Sequence, residues 1–124
     1  MEKSTFFSPF RSDLFAGRRA LIVGVANERS LAWFIAEQLA ACGAELAFTF
    51  QGETLERRVR PLAERVGAKL VIPCDVAQDA DLDRLFEALS DSWQDGFDIL
   101  IHSVAFAQRE DLEGRFVDTS REGF

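Results

Sequence analysis

The amino-acid sequence predicts a doubly wound α/β fold: a parallel sheet with helices on both faces. Two observations carry that prediction. Four short apolar runs, at residues 19–24 (RALIVG), 44–50 (AELAFTF), 69–74 (KLVIPC) and 97–103 (FDILIHS), suit strands buried on both faces. Between them, apolar residues return at helical spacing in three longer stretches. Such a β-α-β-α-β-α-β alternation is satisfied by parallel strands joined through right-handed crossovers.

Each element follows in turn. The first strand ends at Gly24. Leu31, Phe34, Ile35, Leu39 and Cys42 then mark one face of a helix, with Gly43 as its stop. After the second strand, Leu55, Val59, Leu62 and Val66 repeat at helical spacing and Gly67 closes the stretch. Pro61 falls inside this pattern and would cost about 3 kcal/mol in a regular helix interior, so a kink or a late helix start is expected. After the third strand, Leu82, Leu85, Phe86, Leu89 and Trp93 outline a third helix. Asp79, Asp81 and Asp83 are expected in its first turn, where acids favour the helix dipole. Thr119 and Glu122 have the spacing of a capping box just before Phe124. The expectation is a helix beginning there, and hence a sheet that is incomplete after about four strands and three helices. No repeat, low-complexity stretch or linker interrupts the chain.

Composition narrows the function classes. The 124 residues suffice for one small domain, and 48% hydrophobic with 28% charged residues is ordinary for a soluble protein. A net charge of -7 argues against nucleic acid or an anionic membrane as the main partner. No run approaches the roughly 18 apolar residues of a membrane span, and the first residues lack the layout of a secretory signal. A cytoplasmic location is expected. Cys42 and Cys74 follow no C-x-x-C spacing and the chain holds a single histidine, so no metal site is expected. Both cysteines read as buried, reduced thiols.

In open α/β sheets, ligands bind beyond the carboxyl ends of the strands, where the chain order reverses. Four segments end there. The first, Gly24 to Ser30 (GVANERS), holds one glycine rather than a G-x-G-x-x-G pattern. Backbone near Gly24 can still approach a ribose, and Ser30 opens a helix whose N–H groups can take a pyrophosphate; Ser30 as a plain N-cap reads equally well. Gln51 stands where many NAD enzymes carry an acid for the ribose hydroxyls and NADP enzymes an arginine. It is neutral and leans towards NADH. Glu53, Arg57 and Arg58 read as solvated helix positions. Asp75 can hold an adenine amino group or simply make a turn. Ser103 begins a small-residue loop. His102 lies in an apolar strand with no nucleophile near it in sequence and reads as structural. The chain contains no tyrosine, and its lysines are Lys3 and Lys69, so a Tyr–Lys catalytic pair is not present.

Taken in register, GVANERSLA from Gly24, AFTFQ from Ala47, CDV from Cys74 and HSVAFA from His102 closely resemble the NADH-dependent enoyl-acyl-carrier-protein reductases of bacterial fatty acid synthesis. These form a divergent branch of the short-chain dehydrogenase/reductase superfamily and have a Rossmann-type fold. The resemblance runs from about Leu14 onward, and Arg121 to Phe124 is similar to the family's approach to its long fourth helix. It implies residues 14–124 as an incomplete dinucleotide-binding half-domain, with 1–13 as an N-terminal extension. Gly24, Ser30 and Leu31 would lie along the adenosine ribose and pyrophosphate, Gln51 near the adenine-side ribose, and Asp75 and Val76 at the adenine. Ser103, Val104 and Ala105 would line the path to the nicotinamide, and Phe106 and Ala107 would border the acyl substrate. Ala105 replaces a glycine of some members.

The implied reaction passes hydride from NADH to the β-carbon of a trans-2-enoyl thioester of acyl carrier protein, in a homo-oligomer, a tetramer in this family. The family's catalytic tyrosine and lysine would lie beyond Phe124, which implies that these residues alone do not turn over. Two alternatives stay open: a short-chain oxidoreductase of other specificity, or a nucleotide-binding module without catalysis.

Overall fold

A computed structural model describes residues 12–104. Its elements follow the order β1 (Arg19–Val23), α1 (Leu31–Ala41), β2 (Glu45–Phe50), α2 (Glu53–Arg65), β3 (Leu70–Pro73), α3 (Asp79–Ser92) and β4 (Ile99–His102). All strand pairs are parallel, and the sheet order is β3-β2-β1-β4. The chain therefore winds outward from β1 through β2 to β3, then crosses back to place β4 on the other side of β1. The reversal lies between β1 and β4.

Alternation along β1 sorts the core into two layers. Ala20 and Ile22, with Leu46, Phe48 and Phe50 of β2, face α1 and α2. Leu21, Val23 and Ala47 face α3, meeting Leu85, Leu89 and Trp93. β1 and β2 are buried on both sides, which is why they read as unbroken apolar runs. Trp33 is 2% exposed and anchors the first layer, its ring 6.2 Å from that of Phe48. Ahead of β1, the Ser12 and Phe15 N–H groups donate to the Ala41 and Cys42 carbonyls, pinning this stretch to the end of α1.

Several details depart from the expectations. In α1 the buried residues are Ala32, Trp33, Ala36, Leu39 and Ala41, while Leu31 and Phe34 are 67% and 59% exposed. The helix (LAWFIAEQLAA) is apolar almost all round, so spacing leaves its facing open. Small Ala32 and Ala36 let the backbone approach the sheet, and Trp33 fills the space towards Phe48. α2 neither starts late nor stops at Pro61, which lies inside it. Pro61 and Arg57, whose carbonyl loses its helical donor, both lie on the exposed side, where water can take that carbonyl. Asp79 and Asp81 occupy the first turn of α3 as expected, but Asp83 lies beyond it. Phe86 is half exposed and stacks on Phe97 rather than entering the core. Cys74 is buried, whereas Cys42, at the exit of α1, is only half-buried. The Thr119–Glu122 capping box falls outside the described residues.

Candidate functional site

The carboxyl ends of the four strands form one rim. Strands lie about 4.8 Å apart, so the rim is roughly 14 Å wide. From one side to the other it presents Asp75 and Val76 after β3, Gln51 after β2, the Gly24–Ser30 loop after β1, and Ser103 and Val104 after β4.

At the reversal point the two central strands pass very close. The Ser103 N–H donates to the Val23 carbonyl at 2.8 Å, extending the β1–β4 pairing by one step. Gly24 then turns away with φ of +117°, a conformation that side chains rarely adopt. A Cβ on Gly24 would stand 2.4 Å from the Ser103 carbonyl oxygen and 2.6 Å from its carbon. Only glycine fits there, which accounts for the single glycine of this loop.

Beyond Gly24 the loop is built around Ser30. Its Oγ accepts from the Ala26 N–H at 2.9 Å and the Asn27 N–H at 3.1 Å. Asn27 in turn accepts the Arg29 N–H on its Oδ1 at 2.8 Å. Ser30 thus occupies the N-cap position of α1, but its hydroxyl points back into the loop rather than forward onto the helix. Two consequences follow. The N–H groups of Leu31 and Ala32 at the start of α1 are not capped by this side chain, and helix geometry offers them no internal acceptor, whereas the Trp33 N–H already donates to the Ser30 carbonyl at 3.1 Å. Both lone pairs of the Ser30 hydroxyl are engaged, so its remaining capacity is as a donor. Helix dipole, uncapped N–H groups and a hydroxyl proton together favour an anion. Leu31, the first residue of α1, is exposed beside this point.

Gln51 is exposed directly after β2, followed by Gly52 at the start of α2. Glu53, Arg57 and Arg58 are exposed helix positions, as expected. Asp75 makes the turn after β3: its Oδ1 accepts the Ala77 N–H at 3.0 Å, and its carbonyl accepts the Gln78 N–H. Its own N–H donates to Asp81 Oδ2 at 2.9 Å, and Asp81 also pairs with Arg84. Beneath them, burial pushes the Cys74 thiol up from its ordinary pKa, helped by the carboxylates of Asp81 and Asp75 and opposed by Arg84. His102 is exposed at the end of β4, in register with Val23.

Sequence reasoning missed two of these contributors. Asn27 could have been found as a turn residue three before Ser30. Asp81 could not: it reads as a first-turn helix acid, and no spacing rule links it to a backbone group six residues earlier. Ala105, Phe106 and Ala107 lie outside the described residues. A surface hollow on α3, lined by Asp83, Phe86, Glu87, Ser90 and Asp91, is away from the rim, and its three carboxylates suit an anion poorly. Among the described residues, no three His, Cys, Asp or Glu side chains gather as a metal site, and no helix is long and apolar enough to cross a membrane.

Comparison with known proteins bears directly on this rim. A family model described as enoyl-(acyl carrier protein) reductase matches residues 24–124, from the tight glycine of the first loop onward. The chain belongs to this family. A Rhizobium meliloti enoyl-[acyl-carrier-protein] reductase [NADH] is 47% identical over 113 residues, covering 91% of this chain and 41% of that protein. The enoyl reductase of Anaplasma phagocytophilum, solved with NAD, superposes with a TM-score of 0.77 at 44% identity, over 94% of this chain and 44% of that one. The Bacillus cereus enoyl-acyl carrier protein reductase, solved with NADP+ and an indole naphthyridinone, gives a TM-score of 0.74 at 46% identity, over 90% of this chain and 44% of that one. The chain thus spans less than half the length of these enoyl reductases. What it shares with the solved ones is the Rossmann-type parallel fold.

Proposed function

We propose that these residues form the cofactor-binding part of an NADH-dependent enoyl-acyl-carrier-protein reductase. The observation that carries the reading is the β1–β4 reversal, where Gly24 turns against Ser103 and the Ser30 hydroxyl is left as a donor beside an uncapped helix start. The pyrophosphate is assigned to this point, with Gly24, Ser30 and Leu31 along it. Gln51, which can donate and accept, serves the adenine-side ribose without the positive charge that a 2′-phosphate would call for. Asp75 retains one carboxylate oxygen as an acceptor, and the adjacent Val76 N–H is a donor. Together they match the amino group and ring nitrogen on one edge of adenine. Ser103 and Val104, with Ala105, lead towards the nicotinamide ribose, and Phe106 and Ala107 are assigned to the substrate side.

When bound, the dinucleotide supplies the hydride. The chain's own residues here bind and orient. None of the 124 residues is a tyrosine, so a tyrosine hydroxyl that stabilises the enolate is assigned to residues outside them. The substrate class is a trans-2-enoyl thioester of acyl carrier protein, and the location cytoplasmic. The complete protein is proposed as a homo-oligomer, a tetramer. Among the described residues β4 is paired on one side only, and Leu100 is 54% exposed on it, which leaves surface for further packing.

The test is oxidation of NADH, followed at 340 nm, by the protein as its cell makes it, with crotonyl thioester as substrate. Consumption that depends on the thioester is expected. Oxidation only with carbonyl substrates would replace this reading with that of another short-chain oxidoreductase.

A further inference from the structure

Asp81 holds the turn that carries Asp75 but has no assigned part in binding the cofactor. Its side chain is 25% exposed although it stands in the first turn of α3, where carboxylates ordinarily point into water. Both oxygens are engaged. Oδ2 accepts the Asp75 N–H at 2.9 Å, six residues back along the chain, and Oδ1 meets the Arg84 guanidinium one turn further into the helix. Asp75 itself is held at three atoms: its N–H by Asp81, its Oδ1 by the Ala77 N–H, and its carbonyl by the Gln78 N–H. Two of these bonds arise within the turn. The Gln78 bond joins the turn to the N-cap of α3, and Val76 packs on the core layer of Leu85 and Leu89. The Asp81 bond is the one in which a side chain of α3 holds the Asp75 backbone.

We propose that Asp81 is a positioning residue for the adenine end of the cofactor, its carboxylate fixing the turn at Asp75 and Val76 in the conformation that presents both groups to the base. The inference rests on the assignment of Asp75 and Val76 to adenine made above. Without Asp81 the Asp75 N–H loses its acceptor, and the turn keeps only the bonds to Ala77 and Gln78 and the packing of Val76, a looser hold on its orientation at the end of β3. A base that needs an acceptor and a donor side by side then meets a range of geometries. Arg84 holds Asp81 from the other side, so the chain of contacts runs from α3 through Asp81 to the turn.

The experiment compares reduced nicotinamide mononucleotide, which lacks the adenosine half, with NADH, on the protein as its cell makes it. In Asp81→Ala, NADH should bind about tenfold more weakly, the low end of what a hydrogen bond to a charged group contributes. The mononucleotide should bind as in the unaltered protein. Asp81→Asn keeps an oxygen that can accept the Asp75 N–H, and should restore NADH binding to within about twofold of the original. Equal weakening of both nucleotides in Asp81→Ala, or no weakening of NADH, would overturn the proposal. So would an Asp81→Asn protein as weak as Asp81→Ala. If Asp81→Ala does not fold, Asp81→Leu in the same comparison decides, by the same outcomes. Asp75→Ala separates this from the underlying assignment. If Asp75→Ala leaves NADH binding unchanged, adenine is not held there and the assignment itself fails, whatever Asp81 does.

Discussion

Replacing Gly24 by alanine is the sharpest single perturbation of this structure. A side chain at φ of +117° is strained by about 1–3 kcal/mol. Its Cβ would also stand 2.4 Å from the Ser103 carbonyl oxygen, a backbone atom that can retreat only by parting β4 from β1. Such overpacking costs typically about 1–3 kcal/mol, and reduced freedom of the unfolded chain returns only about 0.4–1 kcal/mol. The expected loss is about 2–5 kcal/mol, a large share of the roughly 5–15 kcal/mol that holds a domain folded. Gly52→Ala supplies the control, because Gly52 also has positive φ, +86°, but a Cβ there meets nothing within 4 Å. It should lose only about 1–2 kcal/mol, from strain alone. Urea unfolding of both variants, with midpoints read at equal slope, measures the difference. Should Gly24→Ala prove no less stable than Gly52→Ala, the close approach of β1 and β4 would not be the reason for glycine in this loop.

Ser30→Ala removes the acceptor of two loop N–H groups at once; a stability loss of about 1–3 kcal/mol by urea unfolding is expected, together with weaker NADH binding by calorimetry. Pro61→Ala should stabilise the protein, by about 1–3 kcal/mol in the same assay, because the exposed position regains a helical N–H and loses a ring clash. The buried Cys74 thiol gives a pH signature. Its raised pKa means that the folded state keeps its proton where the unfolded state has lost it. This contribution is complete below the ordinary thiol range and is lost as pH rises through that range towards the raised folded value. Thermal unfolding of Cys74→Ala should therefore fall less steeply at alkaline pH than that of the unaltered protein; parallel curves would show that Cys74 does not titrate in this way.

The fold was legible because β1 and β2 are buried on both faces, so their sequences carry an unbroken apolar signal that no loop competes with. Their order was legible from alternation alone. The facing of α1 was not, because a helix apolar nearly all round gives spacing nothing to select. There the small volumes of Ala32 and Ala36 and the shape of Trp33 decide instead. Pro61 shows a local rule overridden: its cost is carried on the wet side of α2, where a freed carbonyl finds water. At the rim, Gly24, Ser30, Gln51 and Asp75 could be named from their places after strands. The direction of the Ser30 hydroxyl could not, since a serine before a helix reads as a forward cap. Asp81 was recognised as a helix-start acid and not as the partner of Asp75, because that contact depends on how the turn folds back.

The claim on which everything else depends is that a dinucleotide lies across the four strand ends, its adenosine half between Asp75 and Gly24. Titration of the protein with NADH, followed by its fluorescence and repeated in the presence of ADP-ribose, tests this most directly. The account predicts saturable binding that ADP-ribose displaces competitively. Binding that ADP-ribose leaves untouched would contradict it.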